Sequence, residues 1–418
     1  MTHSRRLKIP GVQSWLVCRL GPVAVISIAQ LFGTSLWFSA NSAADDLMRA
    51  WQASASDIGW LTSAVQGGFI LGTLAMSLSG WADRFRASRI FVVSALLGSV
   101  LNVLFAWFAT DIVTGAIFRF AVGFCLAGIY PIGMKLIISW APERTGIALA
   151  QLVAMLTLGT CLPHLLRLVG TNVPWRDVIV ASSILALVAA ALIWILGDGA
   201  HITLVRGSSQ RSSGAGRLVN GGSLSAFAQP SFRAAAFGYF GHMWELYAFW
   251  TVVPLLLQKS TIPRALNLNV SGLSFLVIGA GALGCLLGGM LSRHVGSSRV
   301  ATWALAISGA CGLVFAVGWR HMQPISLLIV LLIWGAAVIA DSPQFSALSA
   351  KACSSELIGG ALAIQNTIGF AITVVSILTT MSLFQHVGLD ATWALVPGPA
   401  LGLVGFRAVH ARSRKDTN

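Results

Sequence analysis

Charge is what this 418-residue chain has least of: 10% of its residues are Asp, Glu, Lys or Arg, and only 13 are acidic. A soluble domain carries about a quarter charged residues, so an ordinary water-facing surface is excluded. The six cysteines, Cys18, Cys125, Cys161, Cys285, Cys311 and Cys353, show no paired spacing. They read as small core residues, with no disulfide framework and no metal cluster. Also missing are a nucleophile with base and orienter, a phosphate-cradling glycine loop and any metal-ligand spacing, so no enzyme is indicated and no cofactor is implied. Alternating barrel-type strands are missing too.

What the chain has instead is apolar length. It is 56% hydrophobic, with a mean hydropathy of +0.80, and runs of about 20 apolar residues recur along it, enough to cross a hydrocarbon core of roughly 30 Å. The runs predict an all-α polytopic membrane protein with twelve transmembrane helices, at 22–41, 59–79, 90–109, 112–139, 145–167, 178–197, 233–258, 270–292, 299–318, 324–351, 357–384 and 390–407. Arg5, Arg6 and Lys8 before the first run resemble the start of a cleaved signal peptide. The run is long and carries Trp37 and Asn41 near its outer end, so a retained first helix is expected.

The net charge of +14 reports topology rather than a nucleic-acid partner. With the N-terminus inside, twenty of the 27 Lys and Arg fall on the cytoplasmic side, six fall in outer loops, and Arg119 lies within the fourth helix. This bias places both termini in the cytoplasm. Residues 198–232, rich in Gly, Ser and Arg, read as a cytoplasmic linker between an N-terminal six-helix bundle, 1–197, and a C-terminal one, 233–418.

The two halves repeat. Gly80-Trp-Ala-Asp83-Arg84-Phe-Arg86-Ala87-Ser88-Arg89 follows the second helix, and Gly289-Met-Leu-Ser292-Arg293-His-Val-Gly296-Ser297-Ser-Arg299 follows the eighth, 209 residues later. Gln151 and Gln365 form a further related pair. Internal symmetry of this kind points to a transporter with its site between the repeats.

At these residues the sequence resembles the major facilitator superfamily, over nearly the whole chain. Gly80, Asp83, Arg84, Ala87 and Arg89 meet its loop signature, with alanine at the usual second glycine. Gly289, Arg293, Gly296 and Arg299 keep the second copy, with Ser292 in place of the acid. Arg119-Phe-Ala-Val-Gly123 is similar to the family's fourth-helix motif. The family's antiporter signature is not met by Leu158-Gly159-Thr160-Cys161-Leu162-Pro163-His164, and the arginines of nitrate-type porters are missing from helices 2 and 8. The runs Gly241-His-Met-Trp-Glu-Leu-Tyr and Ala340-Asp-Ser-Pro-Gln-Phe-Ser-Ala resemble a bacterial subgroup and name no substrate. The resemblance implies two pseudo-symmetric six-helix bundles, with helices 1, 4, 7 and 10 lining a central cavity; the short loops and the want of a targeting extension suggest a bacterial inner membrane.

Two carboxylates stand out. Glu245 lies 12 residues past Arg233, the inner end of helix 7, or roughly 18 Å deep; Asp341 lies 10 residues before Lys351, or roughly 15 Å. Intramembrane acids default to function, here proton coupling or substrate contact, the other reading being carboxyls held by interhelical hydrogen bonds. His242 precedes Glu245 by three residues, which suits a His-carboxylate relay, although a packing histidine fits equally.

Arg119 either pairs with a cavity carboxylate or substrate anion, or makes a structural ion pair. Asn41, Gln151, Gln365 and Asn366 suit a polar ligand or interhelical bonding. Trp37, Phe38, Tyr130, Trp244 and Tyr247 are candidates for an amphipathic wall or for packing. Pro131 and Pro343 are expected to bend helices 4 and 10 near the ligand. Asp83, with Gly80, Arg84, Arg89, Gly289 and Arg293, is expected to hold the halves together at the inner face.

The reading is a proton-coupled secondary transporter of a small organic molecule, monomeric, with substrate, protons and the bilayer as its partners. The alternatives are a uniporter or a transporter-like receptor; about ten residues follow the last helix, little for a signalling domain.

Overall fold

A computed structural model describes residues 10–169, 174–201, 224–353 and 358–415. Most of the expected linker, and the Asp83 side chain, lie outside the described residues. All regular structure among the described residues is helical. Twelve membrane segments follow in chain order: α1 (Pro22–Thr34, resumed as Ser39–Ser42), α2 (Ala55–Ser79), α3 (Ala87–Phe108), α4 (Ile112–Leu126 and Tyr130–Trp140), α5 (Thr145–Val169) and α6 (Trp175–Leu196). After them come α7 (Pro230–Lys259), α8 (Val270–Val295), α9 (Ser297–Gly318), α10 (Pro324–Ala340 and Ser342–Lys351), α11 (Ile358–Val387) and α12 (Pro397–Lys415).

Nine helices among the described residues are long and apolar enough to cross a membrane, and one of them, Gly360–Ala408, contains two crossings, α11 and α12. The broken α1 and the aromatic-rich α7 complete the set; α7 has 30 residues, about 45 Å at the helical rise.

The halves pack alike. Where α2 meets α4, a side chain at Gly123 would begin 2.0 Å from the Val65 carbonyl oxygen, and one at Gly68 1.9 Å from that of Phe120. Where α8 meets α10, Gly335 stands 1.8 Å from the Val277 carbonyl by the same measure, and Gly284 1.8 Å from that of Ala336. Small residues let membrane helices approach this closely, because the backbone itself makes the contact. The halves meet along α2 with α11 and α5 with α8.

Three of the expected segments are broken, each for a local reason. In α1, the hydroxyls of Thr34, Ser35 and Ser39 turn back onto the carbonyls of Gln30, Phe32 and Leu36 at 2.7, 2.6 and 3.1 Å. They compete with the helix ladder just where it stops. In α4, Pro131 cannot donate to the carbonyl four residues earlier, and the chain turns through Ala127–Ile129. In α10, Pro343 likewise cannot donate to the Ile339 carbonyl, which accepts from the Asp341 N–H and from Cys285 Sγ of α8 at 3.5 Å. Asp341 sits at that break.

Of the repeated loop residues, Gly80 ends α2 with φ +67° and Gly296 precedes α9 with φ +88°, backbone that glycine adopts without strain. Arg84, Arg89 and Arg293 are exposed. Gly289 faces Ala150 of α5, at 3.0 Å from the position a side chain would take. Sequence reasoning missed Asp198, just after α6, which accepts from the Ser88 backbone N–H at 2.8 Å and so caps α3.

Candidate translocation site

The buried polar groups fall into two kinds. Within the N-terminal half, Arg119 of α4 donates to the Leu36 carbonyl at 3.0 Å, to the Trp37 carbonyl, to Ser39 Oγ at 3.2 Å and to Asn102 Oδ1 at 3.0 Å. Those carbonyls are the ones the break in α1 releases. Asn102 of α3 donates in turn to the Ile179 carbonyl and to Ser183 Oγ at 3.1 and 3.0 Å. The guanidinium thus acts as the cap of a broken helix. Its protein partners are backbone carbonyls and neutral side chains, with no carboxylate among them.

The C-terminal half builds a counterpart. Glu245 of α7 accepts from Trp334 Nε1 of α10 at 2.8 Å and from Ser308 Oγ of α9 at 2.8 Å, and is 1% exposed. The same three positions of the repeat, first, third and fourth helix, join in both halves. Glu245 faces α9 and α10, so the expected relay with His242 does not form on α7. The three-residue spacing puts the two on neighbouring parts of one helix face, but each turns to a different partner. His242 Nδ1 lies 2.7 Å from Asp341 Oδ1, across to the break in α10, with both side chains essentially unexposed.

The second kind of polar group lies where the halves meet. Gln30 of α1, Gln66 of α2 and Gln365 of α11 are fully buried, and neither amide atom of any of them has a protein partner. His242 Nε2, Asp341 Oδ2 and Trp37 Nε1 are likewise buried and unpartnered. Buried polar groups are nearly always bonded to protein, water or ligand, so these unpartnered ones form the candidate site.

Aromatic rings enclose it. Trp37 of α1 lies 4.8 Å from Phe69 of α2, 6.4 Å from Tyr130 of α4, 5.7 Å from Tyr247 of α7 and 6.2 Å from Phe370 of α11, centroid to centroid. Phe69 and Phe370, one from each half, are 4.5 Å apart. All three tyrosines of the chain gather here: Tyr239 packs on Gly369 and beside His242, 6.0 Å between rings, within electrostatic range of Tyr130. Spacing aligns the amides with the rings, Gln66 three residues before Phe69 and Gln365 four before Gly369, on the same helix faces. Gln30 Oε1 occupies the room left by Gly133 of α4.

Several expected wall residues lie elsewhere. Trp244 donates to the Ala394 carbonyl at 2.7 Å and packs on Gly398, toward α12 and away from the halves' junction. On the helix it lies about 60° round from Tyr247 and about 160° from His242, both of which face inward. Asn41 donates to Thr62 Oγ1 of α2 at 2.8 Å; Phe38 stacks on Tyr247 and meets Trp250 edge-on. Gln151 and Asn366 are half-buried. Phe69, Phe370, Gln30 and Gln66 escaped sequence reasoning. Phenylalanine is common in this chain, but a lone glutamine in the middle of each of the first two apolar runs was a readable signal. No group of three or more metal-ligating side chains occurs among the described residues.

The end away from the termini is closed by polar contacts. Arg167 of α5 donates to the Ser42 carbonyl at 2.9 Å and pairs with Asp46 at 2.5 Å, in the short helix Ala44–Trp51. Asp45 beside it bonds Gln258 of α7, across the halves, and burial pushes its carboxyl above the usual range despite Arg167 and Arg49.

Comparison with known proteins agrees with this architecture. Among solved structures, the chain is similar to the xylose transporter XylE from E. coli in a partially occluded inward-open conformation, at 14% identity and a TM-score of 0.69, covering 92% of this chain and 97% of that one. It is also similar to the nucleoside transporter NupG, at 13% identity and a TM-score of 0.67, covering 93% and 99%. At such identities the likeness shows the fold alone. A search of curated protein sequences gives no match. The family model of the Major Facilitator Superfamily matches residues 26–407. Because that match runs from the first membrane helix into the last, this multi-pass membrane transporter belongs to the Major Facilitator Superfamily.

Proposed function

We propose that the chain is a proton-coupled secondary transporter that carries a small neutral or cationic molecule with an apolar or aromatic face. The carrying observation is the buried His242–Asp341 pair at the break of α10, beside unpartnered amides and aromatic rings from both halves. An acid held in a dry site favours its neutral form, and a neighbouring imidazole offers a second proton site. Rearrangement of the halves that wets this pair on one side and then the other changes which bulk phase the proton equilibrates with. The rings and the carboxamides of Gln30, Gln66 and Gln365 supply stacking and hydrogen bonding to the guest. An acidic guest is disfavoured because the guanidinium of Arg119 is already consumed by the break in α1. Glu245, satisfied by Ser308 and Trp334, is a structural anchor in this reading, and Asp341 with His242 carries the coupling.

The basic residues around the termini support cytoplasmic ends, a cytoplasmic linker between bundles 1–197 and 233–418, and an inner-membrane location, so the Arg167–Asp46 end faces outward. The sequence expectations of a monomer and of a gate at Gly80–Arg89 are kept within this reading.

The test is a thermal-shift screen of metabolites and drug-like compounds, followed by proton movement in dye-loaded proteoliposomes as each hit is added. The reading expects hits that move protons with the unmodified protein and with Glu245→Gln, and none with Asp341→Asn. Hits that bind without proton movement in the unmodified protein would establish a uniporter or receptor instead.

A further inference from the structure

A second polar site lies at the outer end, between α1, α5, α7 and α8. It is a cavity of about 40 Å³ lined in part by Asn41, Asp45, His164, Arg167, Ser271 and Ser274, with room for at least one water molecule. Arg167 is engaged with Asp46 and Ser42, and Asp45 with Gln258. His164 is different: it is 1% exposed, and its Nε2 has no partner. A buried imidazole with an unpartnered nitrogen beside a polar cavity is placed to exchange a proton with a water held there.

From His164 a polar line runs inward along α5. Thr160 and Thr157 lie four and seven residues before it, hence on its face of the helix, and both are buried among apolar neighbours. Seven residues of helix carry the line about 10 Å inward. Thr157 packs on Gly281 and lies within hydrogen-bonding reach of Cys285, both on α8. Cys285 in turn donates to the Ile339 carbonyl and is an electrostatic neighbour of Asp341. The line therefore ends at the His242–Asp341 pair, along the seam of α5 and α8 where the halves meet.

We propose that His164 is the outer proton port of the transporter, exchanging protons between the outer cavity and the His242–Asp341 pair through the Thr160, Thr157 and Cys285 seam. This rests on the coupling reading above. Each transfer moves one proton from a donor to a lone pair and leaves no redox change to balance. The charged and titratable groups around His164 in the cavity are Arg167 on its own helix, with Asp46 paired to it, and Asp45 from the helix after α1; α7 and α8 present only neutral residues there.

The experiment follows the carboxylic C=O stretch of Asp341 by infrared difference spectroscopy, in phosphatidylethanolamine and phosphatidylglycerol vesicles with the outer face of the protein exposed. The band is identified by its loss in Asp341→Asn, and the probe is a pH jump. For a jump on the outer side, His164→Gln and the near-isosteric Thr157→Val are each expected to slow the response about a hundredfold, the lower end of what a positioned proton-transfer group contributes. A jump on the inner side should give the unmodified rate. Unmodified rates from the outer side in both folded variants overturn the port. No titrating Asp341 band in the unmodified protein overturns the coupling reading, and the port with it.

Discussion

At the scale of single residues, satisfaction of hydrogen bonds separates scaffold from site. Arg119 and Glu245 look alike in sequence, each a lone charge in an apolar run, and both turn out to be fully bonded inside their own half. Replacing Arg119 by Leu removes the guanidinium donor from the buried Trp37 carbonyl and leaves the Leu36 carbonyl and the Asn102 amide oxygen to share the one Ser39 hydroxyl proton, at a cost of about 3 kcal/mol. Thermal unfolding in detergent checks this: a large fall in the unfolding midpoint of Arg119→Leu is expected, and an unchanged midpoint would show that the break in α1 is held by something else. The depth of Asp341 and Glu245 was legible from residue counts to the helix ends. Which of them meets His242 was not, because that depends on the azimuth of α10 after its break, and a break resets the 3.6-residue phase.

Among elements, the repeat is a repeat of packing as well as of loop motifs. Gly123 on the Val65 carbonyl and Gly335 on that of Val277 are related by one offset of 212 residues; Gly68 and Gly284, on Phe120 and Ala336, are related by another of 216. Adding one methyl at Gly123 or Gly335 forces the helices apart and should destabilise by about 2 kcal/mol in either half. Matched losses of thermal stability in Gly123→Ala and Gly335→Ala would confirm the symmetry, and a tolerated methyl in one half would break it. The twelve crossings were readable because apolar length is a composition property. The break in α1 was not, since its cause is three hydroxyls and an arginine from another helix. Pro131 and Pro343 did announce the other two. Wall residues were harder: Trp244 and Tyr247 differ only in azimuth, and Phe69 and Phe370 carry no chemical signal that sets them apart from other phenylalanines.

For the whole molecule, the closure at the end away from the termini is expected to couple to pH through Asp45. Its carboxyl is raised by burial in the closed arrangement and returns toward the ordinary value of 3.8 when solvated. The closed state thus binds the proton more tightly. Its stabilisation by this group is fully present below the ordinary carboxylate value and is lost as pH rises through the raised one. Acidification should therefore shorten the distance between spin labels at Ala50→Cys and Ala265→Cys, exposed positions of the two halves at the end away from the termini. Asp45→Asn should remove the pH dependence, and a distance distribution that ignores pH in the unmodified protein would rule this contribution out.

The central claim is that the His242–Asp341 pair couples substrate movement to protons. Its most direct measurement is accumulation of a labelled hit compound in proteoliposomes under an imposed pH gradient. The unmodified protein should concentrate the compound on one side, while Asp341→Asn should exchange it to equal concentrations and no further. Accumulation by Asp341→Asn to the unmodified level would contradict the account.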